Sequence, residues 1–136
     1  MGVSRRHLRD RRPVLVAEAI ALLYRARWLL RTRALDDAVR TMMPELAPQP
    51  ASERIRQDVE QATALVLTRF RPTRTTCMVR ALVRCAMLRT RGIPATWVMG
   101  IRPGADDLEG HAWIELDGVP IMEDEPPRFT PTFRYP

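Results

Sequence analysis

The spacing and type of the apolar residues change at Gly92, and this change limits the folds that the sequence can adopt. Before Gly92, apolar residues recur at helical spacing in several stretches, the last of which runs from Cys77 to Arg91. After it come short runs rich in β-branched and aromatic residues, and Asp117-Gly118 is a strong signal for a two-residue hairpin turn. The sequence therefore predicts an α+β fold, in which N-terminal helices are followed by a Cys-bearing helix packed on a small antiparallel sheet.

A length of 136 residues fits one domain with its own hydrophobic core. We expect residues 1–12 to form a basic flexible arm and residues 13–136 to form a single domain. Within that domain the pattern predicts a helical part over residues 13–71 and a core with the candidate site over residues 72–125. The tail over residues 126–136 is aromatic but interrupted by prolines, so it either packs along a groove or stays loose.

Local signals divide these parts into elements. A helix can begin at Pro13, and Ser52 is a credible N-cap for a later helix that stops before Pro72. Thr76 can cap the helix that begins at Cys77. The second half is predicted to contain strands over residues 95–101, 111–116 and 119–124, with an acidic loop over residues 103–110.

The charge of the chain is unevenly distributed, and all 22 basic residues are arginine. Residues 1–91 hold 19 arginines and 8 acidic residues, which gives a net charge of +11. Residues 92–136 hold 3 arginines and 8 acidic residues, which gives a net charge of −5. An arginine-rich surface suits an acidic partner, because guanidinium groups bind carboxylates in bidentate fashion. A genome that favours arginine codons explains the absence of lysine but not the difference between the halves. We expect no nucleic-acid partner, since no nucleic-acid motif is present and aromatics do not interleave with the arginines.

The apolar run over residues 14–30 is predicted to be a core helix and not a membrane span. It contains Glu18, Arg25 and Arg27, and a stretch of this length is marginal for crossing a bilayer. A twin-arginine-like sequence precedes it, but no small-residue cleavage site follows. We therefore expect a cytoplasmic protein with no membrane span. Trp28 on this helix is predicted to be a core residue.

The two cysteines are expected to be free thiols in different surroundings. With only two histidines and no C-x-x-C pair, the chain has no zinc-ligand pattern, so we expect no metal, no cofactor and a reducing compartment. Cys85 lies among apolar helical neighbours, as a small buried hydrophobe does. Cys77 opens its helix, where unpaired N–H groups and the helix dipole favour a thiolate. Without the residues downstream, Cys77 would also be interpreted as a core cysteine.

The predicted hairpin adds a base and an acid to this thiol. Centring the hairpin on its two-residue turn places His111 opposite Asp124, and directly opposed residues have Cβ atoms about 4.5–5.5 Å apart. His111 can take the proton of a thiol, and Asp124 can hold the second ring nitrogen and stabilise the imidazolium. Cys77, His111 and Asp124 are therefore candidates for a nucleophile, a base and an orienting acid.

Each candidate also has an ordinary structural interpretation. His111 can be an exposed histidine at a loop edge, and Asp124 can be a solvated carboxylate within an acidic run. Asp117 is a rival acid, but its place in the turn accounts for it. Trp113 is two residues after His111, so it shares the same sheet face, and we expect it to point toward the helix that begins at Cys77.

Three segments taken together resemble a known family. They are CMVRALVRCAMLRTRGIPA at residues 77–95, GHAWIELDG at residues 110–118 and PIMED at residues 120–124. They are similar to the transglutaminase-like cysteine peptidases of lasso-peptide biosynthesis, the leader peptidases related to the C-terminal half of the microcin lasso-peptide processing protein. The resemblance is close over residues 72–125 and extends to the helical N-terminal region in size and order.

The resemblance implies a transglutaminase- or papain-like core and a cysteine protease with a Cys-His-Asp triad. Cys77 matches the nucleophile of the family, His111 its base and Asp124 its third member. The implied activity is removal of the leader from a ribosomally synthesised precursor peptide, so that an ATP-dependent cyclase can close the ring. The implied form is the stand-alone one, which relies on a separate leader-recognition protein as its partner.

Two other functions stay open on the residues alone. One is a different acyl transfer at the same three residues, such as transglutamination or amide synthesis, which differs only in the group that resolves the thioester. The other is a non-catalytic, arginine-rich adaptor for an acidic peptide, supported by the +11 segment. Replacing Cys77 by alanine separates them, because an adaptor tolerates the change and an enzyme loses turnover.

Overall fold

A computed structural model of the chain describes residues 11–49, 52–69 and 76–136. The predicted arm over residues 1–12 lies outside these ranges except for its last two residues, which belong to the first helix. Within these ranges, four helices precede four strands: α1 (Arg11–Thr32), α2 (Leu35–Met42), α3 (Glu53–Arg69), α4 (Cys77–Thr90), β1 (Ala95–Pro103), β2 (Leu108–Leu116), β3 (Val119–Ile121) and β4 (Thr130–Tyr135).

The strands form one antiparallel sheet in the order β3-β2-β1-β4. The prediction of an α+β fold with helices first and a small antiparallel sheet after them is confirmed. The connection between β1 and β2 is shorter than the predicted acidic loop, because the two strands stay paired from Ala95–Leu116 out to Pro103–Leu108.

The predicted caps are present at two helices. The Ile55 amide donates to Ser52 Oγ at 3.3 Å before α3, and the Val79 amide donates to Thr76 Oγ1 at 3.4 Å at the start of α4. Gly92 ends α4 with φ +82°, and a Cβ there would lie 1.8 Å from the carbonyl oxygen of Gln49. Glycine is therefore required at this helix end by both its backbone angle and its close neighbour.

The hydrophobic core lies around α4, which packs against α1 and α3 and against one face of the sheet. Ala112 and Ile114 of β2 and Trp97 of β1 supply that sheet face, and all three are buried. An ion pair between Glu18 of α1 and Arg91, with one contact of 3.1 Å, also ties the first helix to the end of α4.

Two sequence predictions about this architecture are corrected. Trp28 is 60% exposed, because the buried side of α1 is formed by Leu23, Ala26 and Leu29, and Trp28 lies on the opposite side. The tail is neither a groove-filling coil nor loose, since β4 pairs with β1 at the edge of the sheet. In the described parts of the chain, no helix has the length and apolar character needed to cross a membrane.

Candidate active site

Cys77 is the first residue of α4 and is partly accessible to solvent. The Thr76 cap satisfies one amide of the first turn, and this turn carries no acidic residue. The remaining amides and the helix dipole therefore present positive potential near the sulfur without an opposing carboxylate on the helix itself.

Cys85 behaves differently from Cys77, as the sequence predicts. Its side chain is fully buried, and its thiol contacts the carbonyl oxygen of Ala95 at 3.4 Å. Burial raises the pKa of the Cys85 thiol to about 12, and the nearby Arg89 opposes this shift only in part. Cys85 is therefore a neutral packing residue at ordinary pH.

The hairpin that follows β2 has the predicted turn, in which Asp117 and Gly118 have φ of 52° and 78°. It pairs β2 with β3 in the predicted register, but only over three pairs that end at Ile114 and Ile121. The predicted continuation of the ladder to His111 and Asp124 is wrong. Met122 adopts φ 58°, which is incompatible with an extended strand, and the chain leaves the ladder at this point.

The carboxylate that contacts His111 belongs to Glu123. Its two oxygens lie 3.2 and 3.3 Å from Nε2 of His111, and both side chains are about a quarter exposed. Asp124 is the next residue and is exposed. With Nε2 held by Glu123, Nδ1 is the ring nitrogen that remains to exchange a proton with another group. Glu123 lies in the same acidic run as Asp124, and the left-handed backbone of Met122 brings Glu123, and not Asp124, into contact with His111.

One pocket of about 190 Å³ contains all the candidate residues. Cys77 lines it from α4 and His111 from β2, and both Glu123 and Asp124 line it from the segment after β3. The pocket lies past the end of β3, where the described residues pair no strand with the edge of β2 that faces away from β1 at His111. Within the described residues, no group of three or more His, Cys, Asp or Glu side chains is arranged to hold a metal ion.

The imidazole of His111 forms a cluster with two aromatic rings, whose own centroids are 6.5 Å apart. Trp113 stacks on it with ring centroids 5.9 Å apart and an interplanar angle of 19°, and Phe129 approaches it at 5.2 Å. The guanidinium of Arg102 lies 4.4 Å from the centre of the Phe129 ring. Gly100 makes room for this arrangement, since a Cβ there would lie 2.8 Å from the Trp113 ring and 3.0 Å from Phe129.

The position of Trp113 corrects the prediction that it points toward α4. His111 and Trp113 share a face of β2, and the alternation of the strand places that face away from the core around α4, which Ala112 and Ile114 contact. His111 lines the pocket with Cys77 past the end of β3, where residues of both faces of β2 line the cavity. Trp113 lies on the face away from α4. There its Nε1 donates to Glu115 at 3.1 Å, and the buried Glu115 also pairs with Arg134 of β4. Phe129 and Arg134 of the tail thus cover this face of the sheet. No local sequence pattern predicts this contact.

The fold and the pocket define an α+β domain in which a thiol at a helix start shares a cavity with a histidine–carboxylate pair. The family model described as the transglutaminase-like superfamily matches residues 20–134, which is most of the chain. The protein therefore belongs to the transglutaminase-like superfamily. No curated protein and no solved structure matches it significantly.

Proposed function

We propose that the protein is a cysteine peptidase that removes the leader peptide from a ribosomally synthesised lasso-peptide precursor. The pocket that holds Cys77, His111 and Glu123 together carries this proposal. Membership of the transglutaminase-like superfamily supports the thiol chemistry. The choice of substrate is supported by the resemblance of residues 77–95, 110–118 and 120–124 to the leader peptidases of lasso-peptide biosynthesis.

In this proposal each residue of the pocket has one role. Cys77 is the nucleophile, and His111 takes its proton through Nδ1. Glu123 holds Nε2, which fixes the tautomer and stabilises the imidazolium after proton transfer. Asp124, the acid selected from the sequence, lines the same pocket and is the alternative for that third role.

The proposed reaction has two steps. Sulfur attacks the scissile carbonyl carbon, and the tetrahedral oxyanion accepts a hydrogen bond from the Cys77 amide at the start of α4. Collapse breaks the C–N bond as the His111 imidazolium gives its proton to the leaving amine. Water then attacks the thioester with His111 as base, which releases the new carboxylate and restores the thiol.

The same proposal includes partners. A separate leader-recognition protein delivers the precursor, and an ATP-dependent cyclase uses the new amine that leader removal exposes. Cleavage is proposed to take place in the cytoplasm, where Cys77 stays reduced. No metal or cofactor is part of the proposed reaction.

The test is cleavage of a lasso-peptide precursor by the purified protein in the presence of its recognition protein, followed by intact-mass spectrometry. We expect two products whose masses add up to that of the precursor plus one water. Cys77→Ala should abolish both products, whereas Cys85→Ala, a matched change at the buried cysteine, should retain cleavage.

Three results would count against the proposal. Cleavage by the Cys77→Ala variant would exclude Cys77 as the nucleophile. A product lacking the added water and joined to an amine would indicate another acyl transfer. Tight binding of the precursor by wild-type protein without any turnover, unchanged in Cys77→Ala, would indicate an adaptor.

A further inference from the structure

Two arginines of α4 lie beside the candidate nucleophile. Arg80 and Arg84 follow Cys77 by three and seven residues, which places all three on one face of the helix. Both arginines line the same pocket as Cys77 and His111. Arg80 is exposed, and Arg84 is half-buried.

Neither guanidinium is neutralised by a close partner in the part of the chain that the structure describes. The ion pairs there involve other arginines, namely Arg33, Arg56, Arg91, Arg102 and Arg134. The Nε of Arg84 is buried without a hydrogen-bond acceptor among these residues, and it has almost no surface that a ligand could reach. The terminal nitrogens of this half-buried guanidinium are the donors that an anion in the pocket can pair with, and such pairing offsets the cost of burying the charge.

The carboxylates near Arg84 do not offset the electrostatic cost of its burial and of its repulsion from Arg80. Burial, and after it repulsion from Arg80, lowers the pKa of Arg84, although Glu123, Glu60 and Asp124 act in the opposite direction. Glu123 is already engaged by His111. The attraction of these carboxylates is thus smaller than the combined effect of burial and of repulsion from Arg80. An additional anion next to the two arginines would stabilise their charges.

We infer that Arg80 and Arg84 form a binding site for a carboxylate of the peptide substrate, an aspartate or glutamate side chain close to the scissile bond. Guanidinium groups suit this ligand because their paired N–H donors match the two oxygens of a carboxylate. The identification of the ligand as part of a substrate rests on the proposed peptidase function.

The helix geometry limits where this acid lies in the substrate. At 1.5 Å per residue, Arg84 is about 10 Å from Cys77 along the axis of α4. An extended peptide advances about 3.3 Å per residue. The acidic side chain should therefore be within about three residues of the scissile bond.

The experiment measures protection of Cys77 from iodoacetamide by short peptides, with the modified residue located by mass spectrometry. The probes are acetylated and amidated alanine-based hexapeptides with one Glu, placed at each position in turn, and matched peptides with Gln. One further Gln peptide keeps a free C-terminal carboxylate, which distinguishes a terminal from a side-chain carboxylate.

We expect the best Glu peptide to halve the alkylation rate at a concentration at least about tenfold below that of its Gln counterpart. Arg80→Gln and Arg84→Gln should each remove most of this preference, and Arg84→Lys should retain part of it, since the charge stays while the paired donors are lost. Arg54→Gln, at an exposed position of α3, should leave the preference unchanged. Added salt should reduce the preference.

Arg80 is exposed, so its substitution tests the site even if the Arg84 variants fail to fold. Equal protection by Glu and Gln peptides, or protection only by the free C-terminus, would overturn the side-chain site. Cleavage of a precursor together with equal protection would overturn this inference alone. Selective protection by Glu peptides without cleavage of any precursor would instead overturn the peptidase and leave the carboxylate site standing.

Discussion

The carboxylate of Glu123 lies 3.2 Å from Nε2 of His111, on a segment that leaves the sheet immediately after β3. This contact occupies one ring nitrogen and leaves Nδ1 for a proton from the pocket that Cys77 lines. The left-handed backbone of Met122 produces the contact, because it turns the chain so that Glu123 meets the imidazole. A carboxylate in this place restricts both the tautomer and the orientation of the ring.

The first prediction distinguishes Glu123 from its neighbour. Glu123→Gln should lower kcat for precursor cleavage by about 100-fold or more with little change in KM, because an orienting acid acts mainly on the imidazolium in the transition state. Asp124→Asn should lower kcat by less than about tenfold, since Asp124 is exposed and makes no hydrogen bond to His111 in the described structure. Steady-state kinetics of the two isosteric variants decides between the acids, and the reverse order would restore Asp124 to the third role.

The second prediction concerns the selectivity of the two thiols. At pH 8.5, iodoacetamide should modify Cys77 and leave Cys85 unmodified in the folded protein, because Cys85 is buried and its pKa is raised to about 12. Peptide mapping by mass spectrometry measures both sites in one sample. Modification of Cys85 at a rate similar to that of Cys77 would contradict the burial that the structure assigns to it.

The raised pKa of Cys85 also has a consequence for stability. Its folded pKa is raised from 9.0 to about 12, so the stabilisation from the neutral thiol is complete below pH 9 and is lost as the pH rises toward 12. In chemical denaturation between pH 8 and 10.5, the free energy of unfolding should fall less steeply with pH in Cys85→Ala than in wild type. Equal slopes would show that Cys85 ionises alike in the folded and unfolded chains.

The third prediction tests the packing around His111. Gly100→Ala places a Cβ 2.8 Å from both the Trp113 ring and the Thr130 carbonyl oxygen, so the free energy of unfolding should fall by about 1–3 kcal/mol. Gly110→Ala is the matched control on the neighbouring strand, where the nearest atom is 3.9 Å away, and should change it by less than about 0.5 kcal/mol. Chemical denaturation measures both variants, and equal effects would argue against the crowded packing.

The fourth prediction concerns the tie between α1 and α4. Glu18→Gln should lower the free energy of unfolding by about 1–2 kcal/mol, because it leaves the largely buried Arg91 without its carboxylate. Glu53→Gln removes an exposed acid 3.9 Å from Arg56 and should cost less than about 0.5 kcal/mol. Chemical denaturation of both variants tests the difference, and an equal cost would show that the ion pair of Glu18 contributes no more than a surface pair.

Features set by neighbouring residues were predictable from the sequence. The Thr76 cap, the helix end at Gly92 and the Asp117-Gly118 turn each depend on a few adjacent residues, and each is present as expected. Burial of Cys85 followed from its apolar helical neighbours. These signals were enough to predict that helices precede strands in an α+β fold. They also indicated Cys77 and His111 as candidate site residues.

Features set by distant contacts were not predictable in the same way. The positive φ of Met122 is unusual for a side chain of its type, so the sequence favours a regular ladder that pairs His111 with Asp124, whereas Glu123 makes the contact with the imidazole. The tilted contact of the Phe129 ring with His111 depends on the pairing of β4 with β1 far along the chain. Trp28 is exposed because smaller residues of α1 form the buried side of the helix. The hydrophobicity of a single residue does not predict which side of a helix faces the core.

The most direct test of the account is the rate of Cys77 alkylation at pH 7 in wild type and in His111→Ala, because it needs no precursor and no partner. If His111 activates the thiol, the rate constant should fall at least about tenfold in the variant while Cys85 stays unmodified in both proteins. Equal rates at Cys77 in a folded His111→Ala protein would show that the histidine does not activate the thiol, and would contradict the proposed peptidase site.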